Sequence, residues 1–527
     1  MSKIKYPIGI QTFDTIRTEG YLYVDKTRFI HELVTTGQYY FLSRPRRFGK
    51  SLLISTLEAF FKGKRELFKG LAVDSLEWDW KEYPVIHIDL NGKEYREEIH
   101  LEQSLNENLI RYENLLGYTG EGKTADERLR TLIREMHDKT GRNVVVLIDE
   151  YDQPILRALD NRELYDKFRS KLQAFYAGLK SMDRYIRFVM LTGITKFSKV
   201  SIFSGLNNLR DISLNKTYNS ICGITEKELT DYFAQSISDM ADSQGISPDD
   251  IHALLKRNYD GYHFSAYGED VYNPFSLLNT FADMKISDYW FATATPNYLV
   301  RLLERSKFPI PEMDGYKCHE SLLTGSDIYL KDPIPLLFQS GYLTIKNYDE
   351  EFNEYTLGFP NVEVSKGFSN FLMKSYLHVN ENPTSFITSF IQDVRSGAVE
   401  NFMKGLQSFT ADIPYDHIVN GEKKSISKAF KEVHYKNVMY IVFKLMGFYT
   451  HTEWRTSDGR IDMLVETDNY IYVMEFKIDS SPEEALRQID NKNYTLPFQK
   501  SGKKIFKIGA NFSTRTRRLS KWLIEED

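Results

Sequence analysis

The sequence predicts a multidomain α/β protein, and three observations carry that expectation. Short apolar runs at Gln38 to Phe41, Val85 to Leu90, Val144 to Ile148 and Phe188 to Leu191 alternate with helical stretches, the order that builds a mostly parallel sheet with crossover helices. After Lys423 a second pattern begins: helix, three strands, helix, strand. At 527 residues the chain is also too long for one core, since a domain takes roughly 150 residues.

Four regions follow in order. An α/β core spans 1–215 and a helical lid 216–310, the latter opening at Thr225-Glu-Lys-Glu228, a capping-box signature. A winged-helix-like and helical linker region spans 311–420. In it a short apolar helix from Pro335 leads to strands Tyr342 to Lys346 and Glu354 to Phe359 around a polar turn. A packing adaptor is the plainer role for that module than DNA reading, because fold alone does not fix a role. The last α/β domain spans 421–527.

Composition excludes several classes. Hydrophobic residues at 42% and charged residues at 27% rule out a mainly disordered chain. Lys plus Arg number 68 against 73 Asp plus Glu, a net charge of -5, so any nucleic-acid surface is regional. Cys222 and Cys318 can make neither a disulfide framework nor a four-cysteine zinc site, and they suit a reducing compartment. The N-terminus MSKIKYPIGI lacks an apolar signal core, and no run approaches the ~18 apolar residues of a membrane span. The expectation is a cytoplasmic protein with no membrane partner.

The sharpest N-terminal feature is Phe41-Leu-Ser-Arg-Pro-Arg-Arg-Phe-Gly-Lys-Ser51, followed by the helical run Leu52 to Phe61. Strand, loop, Gly-Lys-Ser, helix is the P-loop order. Phosphate binding needs an amide-rich turn at a helix N-terminus, a lysine for the terminal phosphates and a hydroxyl for magnesium. Gly49, Lys50 and Ser51 supply these, while Arg44 stands where the generic pattern has its first glycine. About one hundred residues on, the apolar strand Val144 to Ile148 ends in Asp149 and Glu150. Asp149 is placed to hold the magnesium shell and Glu150 to polarise the attacking water. Thr192, at the end of Arg187 to Gly193, is placed to sense the terminal phosphate if that strand is inserted beside the first. Arg210 is a candidate arginine finger for a neighbouring subunit, which leaves homo-oligomerisation open. A core strand ending in a solvated acidic turn is the structural alternative.

The segments Tyr23-Val-Asp-Lys-Thr27, Leu42 to Ser51 and Leu147-Ile-Asp-Glu-Tyr-Asp152 resemble the bacterial AAA-ATPase-like family that carries a nuclease-like C-terminus. In that family the arginine-bearing loop is the usual form, so the resemblance implies ATP and magnesium as cofactors despite Arg44. It covers most of the chain.

In the last domain a helix from about Ser427 to Leu445 precedes a hairpin. If Asp468-Asn469 is a two-residue turn, Thr467 faces Tyr470 and the antiparallel register sets Asp462 opposite Glu475, with Lys477 on the same face. Like charges directly opposite on a sheet repel, and a divalent cation between them reverses that cost. The pattern Asp462 … Glu475-Phe-Lys477 resembles the PD-(D/E)XK nuclease signature. The resemblance implies three further positions: Glu432 as another carboxylate for the metal, Glu453 on the preceding strand, and Gln488 to orient a ligand or phosphate. From Lys500 to Lys521 there are eight Lys or Arg and no acid, with Phe506 and Phe512 between, the regional excess a phosphate-tracking groove needs. The expected activity is ATP-gated, metal-dependent DNA phosphodiester hydrolysis. The alternatives are an ATP-switched nucleic-acid-binding or regulatory module with an inactive nuclease fold, and a metabolic ATPase without a nucleic-acid partner.

Overall fold

The structure, a computed structural model, describes residues 4–196, 203, 206–293, 299, 302–303, 306, 308–324, 332–377, 384–411, 418–419, 422–423, 437, 440–447, 451–452, 455–456, 459–460, 462–513, 515–516 and 518–527. It divides into two units, Met1–Leu302 with Met313–Val364, and Leu303–Glu312 with Ser365–Asp527.

In the first unit the apolar runs become strands. They are β1 (Tyr39–Ser43), β2 (Val85–Asp89), β3 (Val144–Asp149), β4 (Ile186–Gly193) and the short β5 (Arg210–Asp211). Their order is β2-β3-β4-β1-β5, and every pairing is parallel. β4 therefore lies between β1 and β3, the inserted position that the sequence expectation required. β1 and β3 are buried along their whole length, as strands covered on both faces must be. The covering helices include α1 (Thr27–Thr36), α2 (Lys50–Phe61), α3 (Glu98–Leu116), α4 (Ala125–Thr140) and α5 (Arg162–Ser181). α2 packs on β3 and β4, α3 on β2, and α4 on β3.

The region expected to be a helical lid contains α6 (Glu226–Gln244), α7 (Pro248–Tyr259) and α8 (Pro274–Asp283). The capping box forms as its sequence implies: Thr225 Oγ1 accepts from the Glu228 amide at 3.2 Å, and the Glu228 carboxylate accepts from the Thr225 amide at 2.8 Å. Leu229, Phe233, Leu255, Leu277 and Phe281 make its core, with Tyr6, Leu22 and Val24 of the N-terminal segment packed against it. Next comes a three-stranded antiparallel sheet of β6 (Tyr316–His319), β7 (Thr344–Asp349) and β8 (Glu354–Gly358), in the order β6-β8-β7, with helix α9 (Ile334–Gln339) before β7. The predicted hairpin is present, and β6 is a strand the sequence reading lacked. The hairpin tip carries Asp349, Glu350 and Glu351, a charge opposed to DNA backbone contact there.

Helix α10 (Val362–Leu377) begins with a buried acid. Glu363 accepts from the Trp290 amide at 2.7 Å and from Ser276 Oγ of α8 at 2.7 Å. Burial pushes its carboxyl up to about 8. The unfolded chain releases that proton near the ordinary value of 4.5. Stability from Glu363 is therefore full below that value and is lost as pH rises through the folded one. The unfolding free energy of the wild type from urea titrations is expected to fall, relative to Glu363→Gln, by on the order of a few kcal/mol across that window, with a matching drop in urea midpoint. Parallel midpoints would refute the assignment.

The second unit contains α11 (Thr384–Ser396) and α12 (Val399–Ala411), then a five-stranded sheet. Its strands are β9 (His451–Thr452), β10 (Met463–Glu466), β11 (Tyr470–Ile478), β12 (Lys504–Ser513) and β13 (Arg518–Glu526), in that spatial order, with α13 (Pro482–Asn491) crossing between the parallel pair β11 and β12. Of the predicted helix over Ser427 to Leu445, residues 437 and 440–445 fall among the described ones. There Ile441, Val442 and Leu445 are buried.

Three sequence expectations need correction. The first hairpin strand, which the turn register carries back through Asp462, is divided: Gly459–Arg460 pairs with Arg455–Thr456, and β10 begins at Met463. β13 is an additional strand, antiparallel to β12. Three of the eight cations of the basic run are paired with acids of β13 and its neighbours. Lys503 pairs with Glu466 at 2.7 Å, Lys504 with Glu526 at 2.8 Å, and Lys507 with Asp490 at 2.8 Å and Glu525 at 3.2 Å. Phe506 stacks on Tyr472 and Phe512 packs on Phe476, both buried in the core. They are not available to stack on bases.

Gly509 is where α13 meets the sheet. A Cβ there would lie 2.2 Å from the Pro482 carbonyl oxygen and 3.0 Å from the Leu486 amide nitrogen. Gly509→Ala is expected to lower the stability of this unit by about 1–3 kcal/mol through overpacking, read as a reduced urea midpoint. An unchanged midpoint would show that α13 can shift freely.

Candidate functional site

The loop from Arg44 to Gly49 connects β1 to α2. Gly49 caps α2 at φ +95° with nothing within 4 Å of where a Cβ would sit, so backbone conformation rather than crowding requires glycine. Arg44 is 1% exposed. Its guanidinium turns beneath the loop and donates to the carbonyls of Ser43 (2.9 Å), Ser213 (2.8 Å), Tyr218 (3.0 Å) and Asn219 (3.3 Å). It also lies 4.3 Å from the Phe264 ring centroid. Burial lowers its guanidinium to about 10.

Above the loop opens a cleft of about 340 Å³. Lys50 and Ser51 line it from α2, Glu150 and Gln153 from beyond β3, and Phe275 and Leu278 from α8. Residues 7–11 close the far side. Lys50 is 3% exposed and stands 3.3 Å from Glu150 Oε1 and 3.3 Å from the Pro45 carbonyl. Burial would raise the Glu150 carboxyl, but the Lys50 charge, the Gln153 hydrogen bond and Arg46 together hold it below the usual range. Arg46, Arg47 and Arg157 also line the cleft, so four cations face one carboxylate there. An adjoining apolar pocket of about 100 Å³ shares Pro7, Gly49, Leu52 and Leu278 with the cleft and is walled by Leu22, Val24, Ile30 and Ile224. Polyanion on one side and apolar surface on the other is the chemistry of a nucleotide.

The end of β3 is tied to β4. Thr192 is fully buried, and its hydroxyl donates to Asp149 Oδ1 at 2.5 Å, the same oxygen that accepts the Glu150 amide at 3.0 Å. Neither Asp149 nor Thr192 lines the cleft; both are buried, at the ends of β3 and β4. Glu150 takes a left-handed backbone conformation, φ +51°, pinned by Tyr151 N to Thr192 O at 3.0 Å and Gln153 N to Glu150 O at 3.1 Å. Asp152 accepts from the amides of Ile194 (3.0 Å) and Thr195 (2.6 Å), and burial with the Glu150 charge pushes its carboxyl up to about 6.

Arg210 does not line the cleft. Its guanidinium lies 6.0 Å from the Tyr40 ring centroid, at the level of the sheet where Tyr40 pairs with it. The Tyr23 to Thr27 motif is a clamp: Asp25 accepts from Thr27 N at 2.8 Å and Ala72 N at 2.6 Å, and Lys26 pairs with Glu228 of α6 at 2.6 Å. Sequence reasoning did not single out Arg46, Arg47, Gln153 or Arg157. The doublet Arg46-Arg47 beside Gly-Lys-Ser was the available signal, since basic side chains flanking a phosphate loop have a charge to answer.

In the second unit the hairpin register is the one deduced from the turn. Met463 pairs with Met474 and Glu466 with Ile471, and Thr467 N donates to Tyr470 O at 2.8 Å. Asp462 thus comes opposite Glu475, just before β10. Its Oδ2 accepts the Phe476 amide at 3.0 Å, a side chain taking a donor that the ladder would otherwise use, which is why the strand breaks there. Glu475 is 3% exposed. Its Oε1 accepts from Lys477 Nζ at 3.3 Å and from Gln488 of α13, and Gln488 also binds Lys477. Its Oε2 is buried without a hydrogen-bond partner. Burial and the Asp462 charge push the carboxyl up to about 7, against the pull of Lys477. An orphaned carboxylate oxygen beside a second carboxylate fits a hard divalent cation with oxygen ligands. Among the described residues no group of three His, Cys, Asp or Glu converges on one point. Glu432 and Glu453 lie outside the described residues.

Two family models match the chain: a predicted AAA-ATPase over residues 7–203 and the PD-(D/E)XK nuclease superfamily over residues 430–522. A protein of Azotobacter chroococcum mcd 1, described only as an uncharacterized protein in the vnfD 5' region, is 38% identical over 537 residues, covering 100% of this chain and 99% of its own. The two matched segments coincide with the two places where charge and orphaned oxygen gather. The chain belongs to the AAA-ATPase-like family whose members carry a C-terminal domain of the PD-(D/E)XK nuclease superfamily.

Proposed function

We propose that the protein binds and hydrolyses ATP with magnesium at the first cleft and uses the second site for metal-dependent hydrolysis of DNA phosphodiesters, with ATP controlling the cut. The observation that carries the nucleotide half is the cleft itself, four cations and one carboxylate at the end of a strand–loop–helix. In this P-loop reading the α2 amides and Lys50 hold the phosphates, Ser51 and Asp149 hold magnesium, and Glu150 orients the water. Thr192 acts through Asp149, fixing the carboxylate that it touches.

The nuclease half rests on the orphaned Glu475 oxygen, with Asp462 at the position opposite in the hairpin register. These carboxylates would hold the metal, which would polarise the scissile phosphate. Lys477, fixed by Gln488 and Glu475, stands ready to steady the phosphate or the nucleophile. ATP control is supported by the fusion, since the relative aligns over both regions; it requires ATP to favour one arrangement of the two units. Two buried free thiols suit a reducing, cytoplasmic setting, and among the described residues no helix is long and apolar enough to cross a membrane. One observation favours the alternative, a nucleic-acid-binding or regulatory module without cleavage: Lys477 and Gln488 both already bind Glu475 Oε1, as a purely structural ion pair would.

Cleavage of supercoiled and linear DNA with magnesium or manganese, with and without ATP, tests this. Lys477→Ala is expected to lose cutting by about a hundredfold or more, and Lys50→Ala to lose ATP hydrolysis and the ATP dependence of cutting. Calorimetric magnesium binding to the Asp462→Asn, Glu475→Gln protein separates the alternatives. A wild-type protein that hydrolyses ATP, never cuts DNA and binds magnesium no better than this variant would support the regulatory module.

A further inference from the structure

The cleft contains more positive charge than its own residues neutralise. Lys50 is paired with Glu150, but Arg46, Arg47 and Arg157 form no ion pair with a described residue. The three differ in how they are held. Arg47 lies 4.8 Å from the Phe275 ring centroid, engaged with the wall formed by α8. Arg157 is exposed at the end of the short helix Gln153–Arg157. Arg46 is half-buried, and its backbone is fixed from outside the loop. Its carbonyl accepts the Trp290 indole N–H at 3.0 Å, and the Trp290 amide is fixed in turn by Glu363 at 2.7 Å. Its charge reaches Glu150, the acid that faces Lys50 across the cleft.

We infer that Arg46 is an internal arginine finger. In this inference, which rests on the nucleotide reading above, its guanidinium stabilises the charge that develops on the terminal phosphate, so that one chain completes its own catalytic site. Water oxygen bonds to the γ-phosphorus while the bond to the ADP oxygen breaks. ADP leaves with that electron pair, and the water proton passes to Glu150. Negative charge gathers on the phosphoryl oxygens between Lys50 and Arg46, where a preorganised cation lowers the barrier without having to be recruited. Arg210, the residue that sequence alone offers for a neighbouring site, is absent from the cleft lining and engaged at Tyr40.

The test uses full-length protein with steady-state ATP hydrolysis and separate nucleotide binding by calorimetry. Arg46→Ala is expected to lower kcat by about a hundredfold or more while ATP affinity changes far less, with partial recovery in Arg46→Lys. Wild-type turnover per chain is expected not to vary with protein concentration, and mixing Arg46→Ala with Lys50→Ala protein is expected not to restore activity. Restored activity in the mixture, turnover that rises with concentration, or loss of turnover in Arg210→Ala would overturn the inference by placing the finger on a neighbouring subunit. So would equal losses of affinity and turnover in Arg46→Ala, which mark a ground-state phosphate contact. A wild-type chain that binds no ATP fails the nucleotide reading, and the inference with it. A wild-type chain that turns over ATP as well as Arg46→Ala fails the inference alone.

Discussion

The first unit is organised around a buried charge. Arg44 keeps its guanidinium almost wholly out of water and holds it with four backbone carbonyls, one at the end of β1, one just beyond β5 and two at the start of the segment that follows. An unpaired buried cation is costly unless its donors are satisfied; here Nη1 and Nη2 are and Nε is not, and each carbonyl left without its donor would cost about 1–3 kcal/mol. The arginine and the segments around it are therefore mutually obliged. The loop must leave β1 in one direction, and the backbone after it is free to turn its amides and the following arginines toward the cleft. The generic phosphate loop uses glycine at this place because its backbone approaches the ligand; here the side chain points away, so the glycine is not missed.

A similar economy of connections runs through the end of β3. Thr192, Tyr151 and Asp152 tie that edge to β4, and Gln339 of α9 accepts the Lys196 amide at 2.8 Å just past β4. The same stretch of backbone thus touches the magnesium-shell candidate at one end and the three-stranded module at the other. The acids and that module are joined by a continuous path of hydrogen bonds rather than by loose packing.

Much of this was legible in the sequence, for identifiable reasons. Fully buried parallel strands read as continuous apolar runs, and a two-residue turn fixes an antiparallel register, so the sheet and the Asp462–Glu475 juxtaposition followed from Val144 to Ile148 and from Asp468-Asn469. What stayed hidden depends on partners distant in the chain. The charges of Lys503, Lys504 and Lys507 look free until β13 and α13 bring acids to them. β13 itself was obscured because its basic beginning resembles a solvated tail. Arg44 read as a defect because its four acceptors lie next to it or about 170 residues away. Glu363 gave no signal at all, since nothing near it in sequence marks a buried carboxyl.

The left-handed backbone at Glu150 has an evolutionary consequence. A side chain at that conformation costs on the order of 1 kcal/mol compared with glycine, so at this position selection for a sturdier fold and selection for the acid pull in opposite directions. A lineage that no longer needed the site would gain that much by drifting to glycine or asparagine there only if Lys50 changed as well, because a buried lysine left without its carboxylate is costlier than the backbone strain. Paired decay at positions 50 and 150 is thus the trace that lost function would leave in descendants of this chain.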